Sequence, residues 1–171
     1  MSQILTAQNL MLYDICSQIL EIDKSIRFAG FANNMGTIIA CQHRETLLVE
    51  KKSLLTKDDL ELSAIESVLR MVTRKDMISK LGKPIYSFTL YEKVKRATIL
   101  LETSNNIDCP PILMVSFDNN NEAGTYQESI ILNGILPLMS YYFRRVFPTQ
   151  SSIQKTMRDI IRTKRAIGHH R

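Results

Sequence analysis

The chain has 171 residues, 44% hydrophobic and 23% charged, with a formal net charge of +5. That length and balance suit one soluble globular domain with room for an appendage, burying enough surface to need no staples. No apolar run approaches the roughly 20 residues of a membrane-spanning helix, and Cys16, Cys41 and Cys109 form no CxxC pair, which speaks against a disulfide framework and for a reducing compartment.

The start, "MSQILTAQNLMLYD", has no basic region before its apolar residues and no cleavage pattern. No signal peptide is expected, and the chain is read as cytoplasmic. The charge is segregated. Met1 to Phe143 holds 14 Lys+Arg against 16 Asp+Glu, a net of −2. Arg144 to Arg171 holds 8 Lys+Arg against Asp159 alone, a net of +7. Such asymmetry marks an interaction segment rather than a generally basic protein.

In chain order, Leu12, Cys16, Ile19 and Asp23 step by 4-3-4, which predicts a first helix over about 6–23 with Thr6 as N-cap. In "SIRFAGFANNMGTIIACQHR", Ile26, Phe28 and Gly30 alternate with Arg27, Ala29 and Phe31. Asn33, Asn34, Met35 and Gly36 then supply hairpin-turn chemistry, and a second β-rich run follows.

The period changes in the next stretch. Thr56 and Asp59 resemble a capping box with Asp in place of Glu or Gln. Leu62, Ile65, Leu69 and Val72 step by 3-4-3, flanked by Leu60, Ala64, Val68 and Met71. The apolar face is broader than one sheet needs to cover it. Gly82 and Pro84 stop the helix, placed at 57–80 with a break near Thr73.

"KPIYSFTLYEKVKRATILLE" reads as two strands joined by a charged turn, with Tyr86, Phe88 and Leu90 on one face and Ala97, Ile99 and Leu101 on one face of the partner. "TSNNIDCPP" and "NNNEAGT" are loops by composition. "ILMVSFD" between them is a nearly continuous apolar strand suited to the centre of a sheet. A last helix carries Ile131, Ile135, Leu138 and Tyr142 at 4-3-4 and is kinked at Pro137. Pro148 separates it from the tail.

The order α-β-β-α-β-β-β-α predicts an α+β fold: a single domain over 1–147, with a five-stranded antiparallel sheet and flanking helices. A basic amphipathic C-terminal helix or tail follows over 148–171.

This order resembles the Roadblock / dynein light-chain family, related to the profilin-like and longin folds. The likeness covers about residues 6–147 and is most specific in "IRFAGFANNMGTIIA". The wording of "RFAGFANNMG" and "IYSFTLYEKVKRATI" also resembles an uncharacterised archaeal family with no assigned activity. The Roadblock resemblance implies a homodimer with paired central helices and a sheet continued across the interface. It implies no chemistry of its own, and a role as scaffold or regulator for Ras-like GTPases or as adaptor on larger machines. A PAS- or GAF-like sensor domain is also compatible with the order of elements.

Candidate sites follow from the residues. In the tail, Lys155, Arg158, Arg162 and Arg165 share one stripe, with Ile153, Met157, Ile160 and Ile167 opposite, and Lys164 is a further candidate for an anionic partner. Such a helix can dock by its apolar side, or set cations against phosphates, anionic lipid or an acidic protein groove. No aromatic lies in 151–171, so base stacking has no support. Tyr91, Lys93, Lys95 and Arg96 form a second, weaker candidate surface, beside Glu92. Leu62, Ile65, Leu69 and Val72 are the candidate dimer helix. Cys41 and His43 share a strand face without metal-site spacing, and Cys16 and Cys41 are read as core residues. Terminal His169 and His170 are expected to be disordered.

There is no GxGxxG, Walker A, GxSxG or HExxH motif. The expectation is a non-enzymatic regulatory or adaptor homodimer with a protein partner, no cofactor and no metal. A nucleic-acid-associated factor using the tail is the alternative, and a small-ligand sensor the second alternative.

Overall fold

A computed structural model describes residues 7–44, 55–101, 112–119 and 125–146. Helix α1 spans Ala7–Ile22. The hairpin β1 (Ile26–Ala32) and β2 (Ile38–His43) follows. Helix α2 spans Lys57–Thr73 and breaks into a 3-10 turn, Lys75–Met77, and a short helix α3, Ile78–Leu81. Strands β3 (Tyr86–Leu90), β4 (Val94–Leu100) and β5 (Ile112–Asp118) complete the sheet. Helix α4 (Thr125–Ile130) passes through a π-helical turn, Ile131–Ile135, into α5 (Leu136–Val146).

The strands form one antiparallel sheet in the order β2-β1-β5-β4-β3. The most apolar strand, β5, is central, because it must be buried on both faces. The fold is α+β, with helices on both faces of the sheet. Thr6, the loop at 103–111, Pro148 and the basic tail lie outside the described residues.

On one face, Leu12, Ile15, Cys16 and Ile19 of α1 meet Phe31, Ile99, Leu113 and Phe117 of the sheet and Ile131, Ile135 and Met139 of the last helices. On the other, Leu60 and Ala64 of α2 meet Phe28, Ala32, Ile112 and Met114.

Strand β1 departs from simple alternation. Ile26 stands opposite Phe117 and Phe28 opposite Ser116, so one extra residue enters β1. This bulge sends Ile26 to the α1 core and Phe28 to the α2 core.

The predicted turn chemistry holds at the hairpin. Asn33 Oδ1 accepts from the Met35 and Thr37 amides, each at 2.9 Å. Gly36 adopts φ +81°, a left-handed conformation that glycine reaches without steric cost.

Pro137 has no N–H to give to residue 133. The chain answers with the π turn just before it, where the Leu136 amide bonds back to Ile131 O. The extra residue in that turn shifts the buried stripe. Ile131 and Ile135 are buried as their spacing predicts, but the next fully covered side chain is Met139, and Leu138 is only half-buried.

Candidate functional site

Helix α2 starts where the sequence can satisfy its free amides. The Thr56 hydroxyl accepts from the Asp59 amide at 3.2 Å, and Asp59 accepts from the Thr56 amide at 2.8 Å. This is the predicted capping box with Asp as its acid. Hydrogen bonds from the Thr56 side chain and amide hold the Asp59 carboxyl below its ordinary value. Glu66 and Arg70 pair one turn apart along the outer side.

Leu60, Ala64 and Val68, at i, i+4, i+8, take the sheet-facing side. The second stripe is left over. Leu62 is 68% exposed, Ile65 42% and Leu69 60%. Val72, the fourth member, lies in the last turn of α2. The hairpin tip meets the helix within this stripe, between Leu62 and Leu69: a side chain on Gly36 would come within 2.4 Å of Ile65 Cγ1, so turn and helix touch there.

Among the described residues, the sheet beside α2 is only partly covered. On β3, Tyr86 and Phe88 turn to the α1 core; on β4, Lys95, Ala97 and Ile99 are buried on that side. Alternation therefore puts Ser87, Thr89, Arg96 and Thr98, all half-buried, on the α2 side. They form a polar shelf between α2 and the outer strand β3, an edge with no neighbour among the described residues. Ser67 and Thr98 hydroxyls meet at 3.3 Å at the inner margin of the shelf.

A groove of about 290 Å³ runs along this junction, lined by residues including Leu62, Glu66, Tyr91, Val94 and Arg96. Burial pushes the Arg96 guanidinium below its ordinary value, against the opposing pull of Tyr91 and Glu66. Its Nη2 lies 3.9 Å from Met114 Sδ. The arrangement has an apolar ridge, a polar shelf and an open strand edge.

The second candidate surface is divided. Tyr91 and Lys93 are exposed and Arg96 lines the groove, but Lys95 is 3% exposed on the opposite face. There its Nζ donates to Gln127 Oε1 of α4 at 3.2 Å. Adjacent strand residues point to opposite sides, so the run "KVKR" does not make one cationic patch. The tail candidates Lys155, Arg158, Arg162, Lys164 and Arg165 lie outside the described residues, as do Cys109, His169 and His170.

Cys16 is buried, and burial pushes its thiol up, with Cys41 adding to the shift. Cys41 is half-buried and also pushed up by burial. His43, pushed down by burial, sets its ring 4.9 Å from that of Phe28, tilted by 55°. Among the described residues no group of three or more His, Cys, Asp or Glu side chains could hold a metal ion. None of the described helices is long and apolar enough to cross a membrane.

The shelf was missed in the sequence, although the alternation that makes it was there. Polar Ser87, Thr89, Arg96 and Thr98 occupy every second position against Tyr86, Phe88, Ala97 and Ile99.

No family model matches the chain, and no curated protein matches it. Solved structures do. Myxococcus xanthus MglB superposes with a TM-score of 0.53 at 12% identity, over 80% of this chain and 97% of that one. The gliding protein MglB from Thermus thermophilus gives 0.49 at 11%, over 69% and 81%. A Roadblock/LC7 domain from Streptomyces avermitilis gives 0.46 at 10%, over 75% and 98%. The first of these carries the fold comparison, and at such identities the likeness concerns architecture alone. The fold is Roadblock-like, as the element order implied.

Proposed function

We propose that this chain is a non-enzymatic regulatory or adaptor protein that works as a homodimer through protein–protein contacts. Residues 1–147 form the domain and 148–171 a basic appendage. One observation carries the reading: the exposed stripe Leu62, Ile65 and Leu69 stands beside a polar shelf and an open strand edge. A second copy of the chain fits this surface. Its α2 would lie over the vacant shelf, and its β3 would pair with β3, giving a continuous sheet with two helices side by side.

The energetics favour such closure. Each large apolar side chain removed from water contributes about 1.5–3 kcal/mol, and an unpaired strand edge is a standing template for pairing. The first class of further partner to test is a Ras-like GTPase, on the strength of the Roadblock resemblance. Cytoplasmic residence agrees with the free thiols of Cys16 and Cys41.

Light scattering of the full chain at micromolar concentration tests the reading. A dimer mass is expected, shifted toward monomer by Leu62→Asp. A strict monomer overturns it.

A second reading, a nucleic-acid-associated factor, rests on the +7 net charge of 144–171. Duplex DNA titrated across a salt series decides it. Four phosphate contacts predict a slope of log K against log salt near about −3 to −4. No binding at low salt removes this reading.

A further inference from the structure

We propose that the basic segment 151–167 docks in cis along the groove between α1 and α5, on the face of the sheet opposite α2. The groove has a volume of about 350 Å³ and is lined by Gln18, Glu21, Ile22, Gly134 and Leu138. Its floor is apolar and half-buried at Ile22 and Leu138. Gly134 sets its depth: a side chain there would come within 2.7 Å of Ile22 Cγ2, so the two helices approach closely and leave a furrow above the contact. Leu138, half-buried, packs against the edge of the core and lines the furrow.

The one charged residue lining the groove is acidic, Glu21. Asp14 and Glu21 are exposed two turns apart on α1, which contains no Lys or Arg. From Thr125 to Phe143 the only formally charged residue is Glu128. Among the described residues, cations stand only at the ends of the two helices: Arg44 caps α1 at Leu20 O (2.5 Å) and Asp23 O (2.8 Å), and Arg144 and Arg145 fall in the last turn of α5. Gln18 Nε2 donates to Asp14 Oδ2 at 2.8 Å and lies 2.5 Å from the Tyr142 hydroxyl, which ties this rim across to α5.

The occupant is specified by charge, pattern and reach. The chain's basic excess lies from Arg144 onward, whereas Met1–Phe143 is net acidic. Ile153, Met157 and Ile160 suit an apolar floor, and Lys155, Arg158 and Arg162 suit carboxylates on its rim. Helix α5 ends at Val146, and Leu138 and Gly134 lie about 12 and 18 Å back along its axis at 1.5 Å per residue. A segment of the length of 151–167 covers about 25 Å if helical, enough to run back over both. The link from Val146 to Ser151 spans at most about 18 Å. That short link favours the layer in which α5 lies over the α2 stripe across the sheet.

Docking there leaves the dimer surface free and occupies cations that nucleic acid would otherwise meet. The test uses the full chain, mixed with an isotope-labelled copy. Zero-length carbodiimide coupling is expected to join Lys155 to Asp14 or Glu21 within one chain. Trypsin cleavage after Arg158 and Arg162 is expected to quicken several-fold in Glu21→Lys and in Leu138→Asp, and to stay unchanged in Leu62→Asp. Because Leu138→Asp is able to disturb folding, the exposed Glu21→Lys decides. Links to Asp58, Asp59 or Glu61, links between labelled and unlabelled chains, or cleavage unmoved by Glu21→Lys would each overturn the proposal. Light scattering of the same samples reads the dimer separately, so either idea is able to fail alone.

Discussion

Gly36 shows how one residue joins two layers of the fold. Its φ of +81° closes the hairpin, and its missing side chain lets the turn touch α2 at Ile65. Gly36→Ala introduces both backbone strain and a clash, and should cost about 1–3 kcal/mol. In a chain of this size each kcal/mol lowers Tm by roughly 2–4 °C, so thermal melts should show a clear drop, and an unchanged Tm would contradict the contact. Asp23 works by charge. Burial raises its carboxyl, but hydrogen bonds from Ser25 and from the Tyr126 hydroxyl at 2.6 Å outweigh this and hold it below the usual value. A carboxyl with a lowered folded-state pKa stabilises the fold at neutral pH, and that contribution is lost as pH falls through the folded value. The stability gap between wild type and Tyr126→Phe should therefore be present at pH 7 and narrow below about pH 4. Denaturant unfolding at several pH values measures it, and a gap that widens on acidification would refute the assignment.

Among the elements, α2 carries most of the functional argument and was the most legible. Its capping box, the break near Thr73 and the stop at Gly82 were all present as residue types with a physical reason. So was its second apolar stripe, because 3.6-residue periodicity shows how wide an apolar face is even when its partner is unknown. Thr56→Ala should lower stability by about 1 kcal/mol through loss of the cap, with circular dichroism melts as the check. The strands were less legible. The bulge that sends Ile26 and Phe28 to opposite cores depends on registration against β5, which no local pattern in β1 encodes. The same limit hid the burial of Lys95. In a run of charges, the strand pleat decides which one turns inward, and the compensating Gln127 lies 32 residues away. Pro137 announced a kink, but the π turn that absorbs it, and the resulting exchange of Leu138 for Met139 in the core, follow from how the helix packs on α1.

For the molecule as a whole, the decisive asymmetry is between the two faces and two edges of the sheet. Among the described residues, one face is covered from α1 across to α5, while α2 leaves the β3–β4 side of the other open. Strand β3 ends the sheet next to that opening, and β2 ends it at the far side. The account therefore places the dimer at α2 and β3 together. A charge placed in the stripe, as in Leu62→Asp or Leu69→Asp, should raise the dimer dissociation constant by tenfold or more, since about 1.4 kcal/mol is already a factor of ten. The most direct measurement is hydrogen–deuterium exchange of the full chain across a dilution series. The account predicts that Tyr86–Leu90 and the outer face of α2 exchange slowly at high concentration and quicken together on dilution, while Ile38–His43 does not change. Concentration-dependent protection at Ile38–His43 instead, or none at β3, would contradict it.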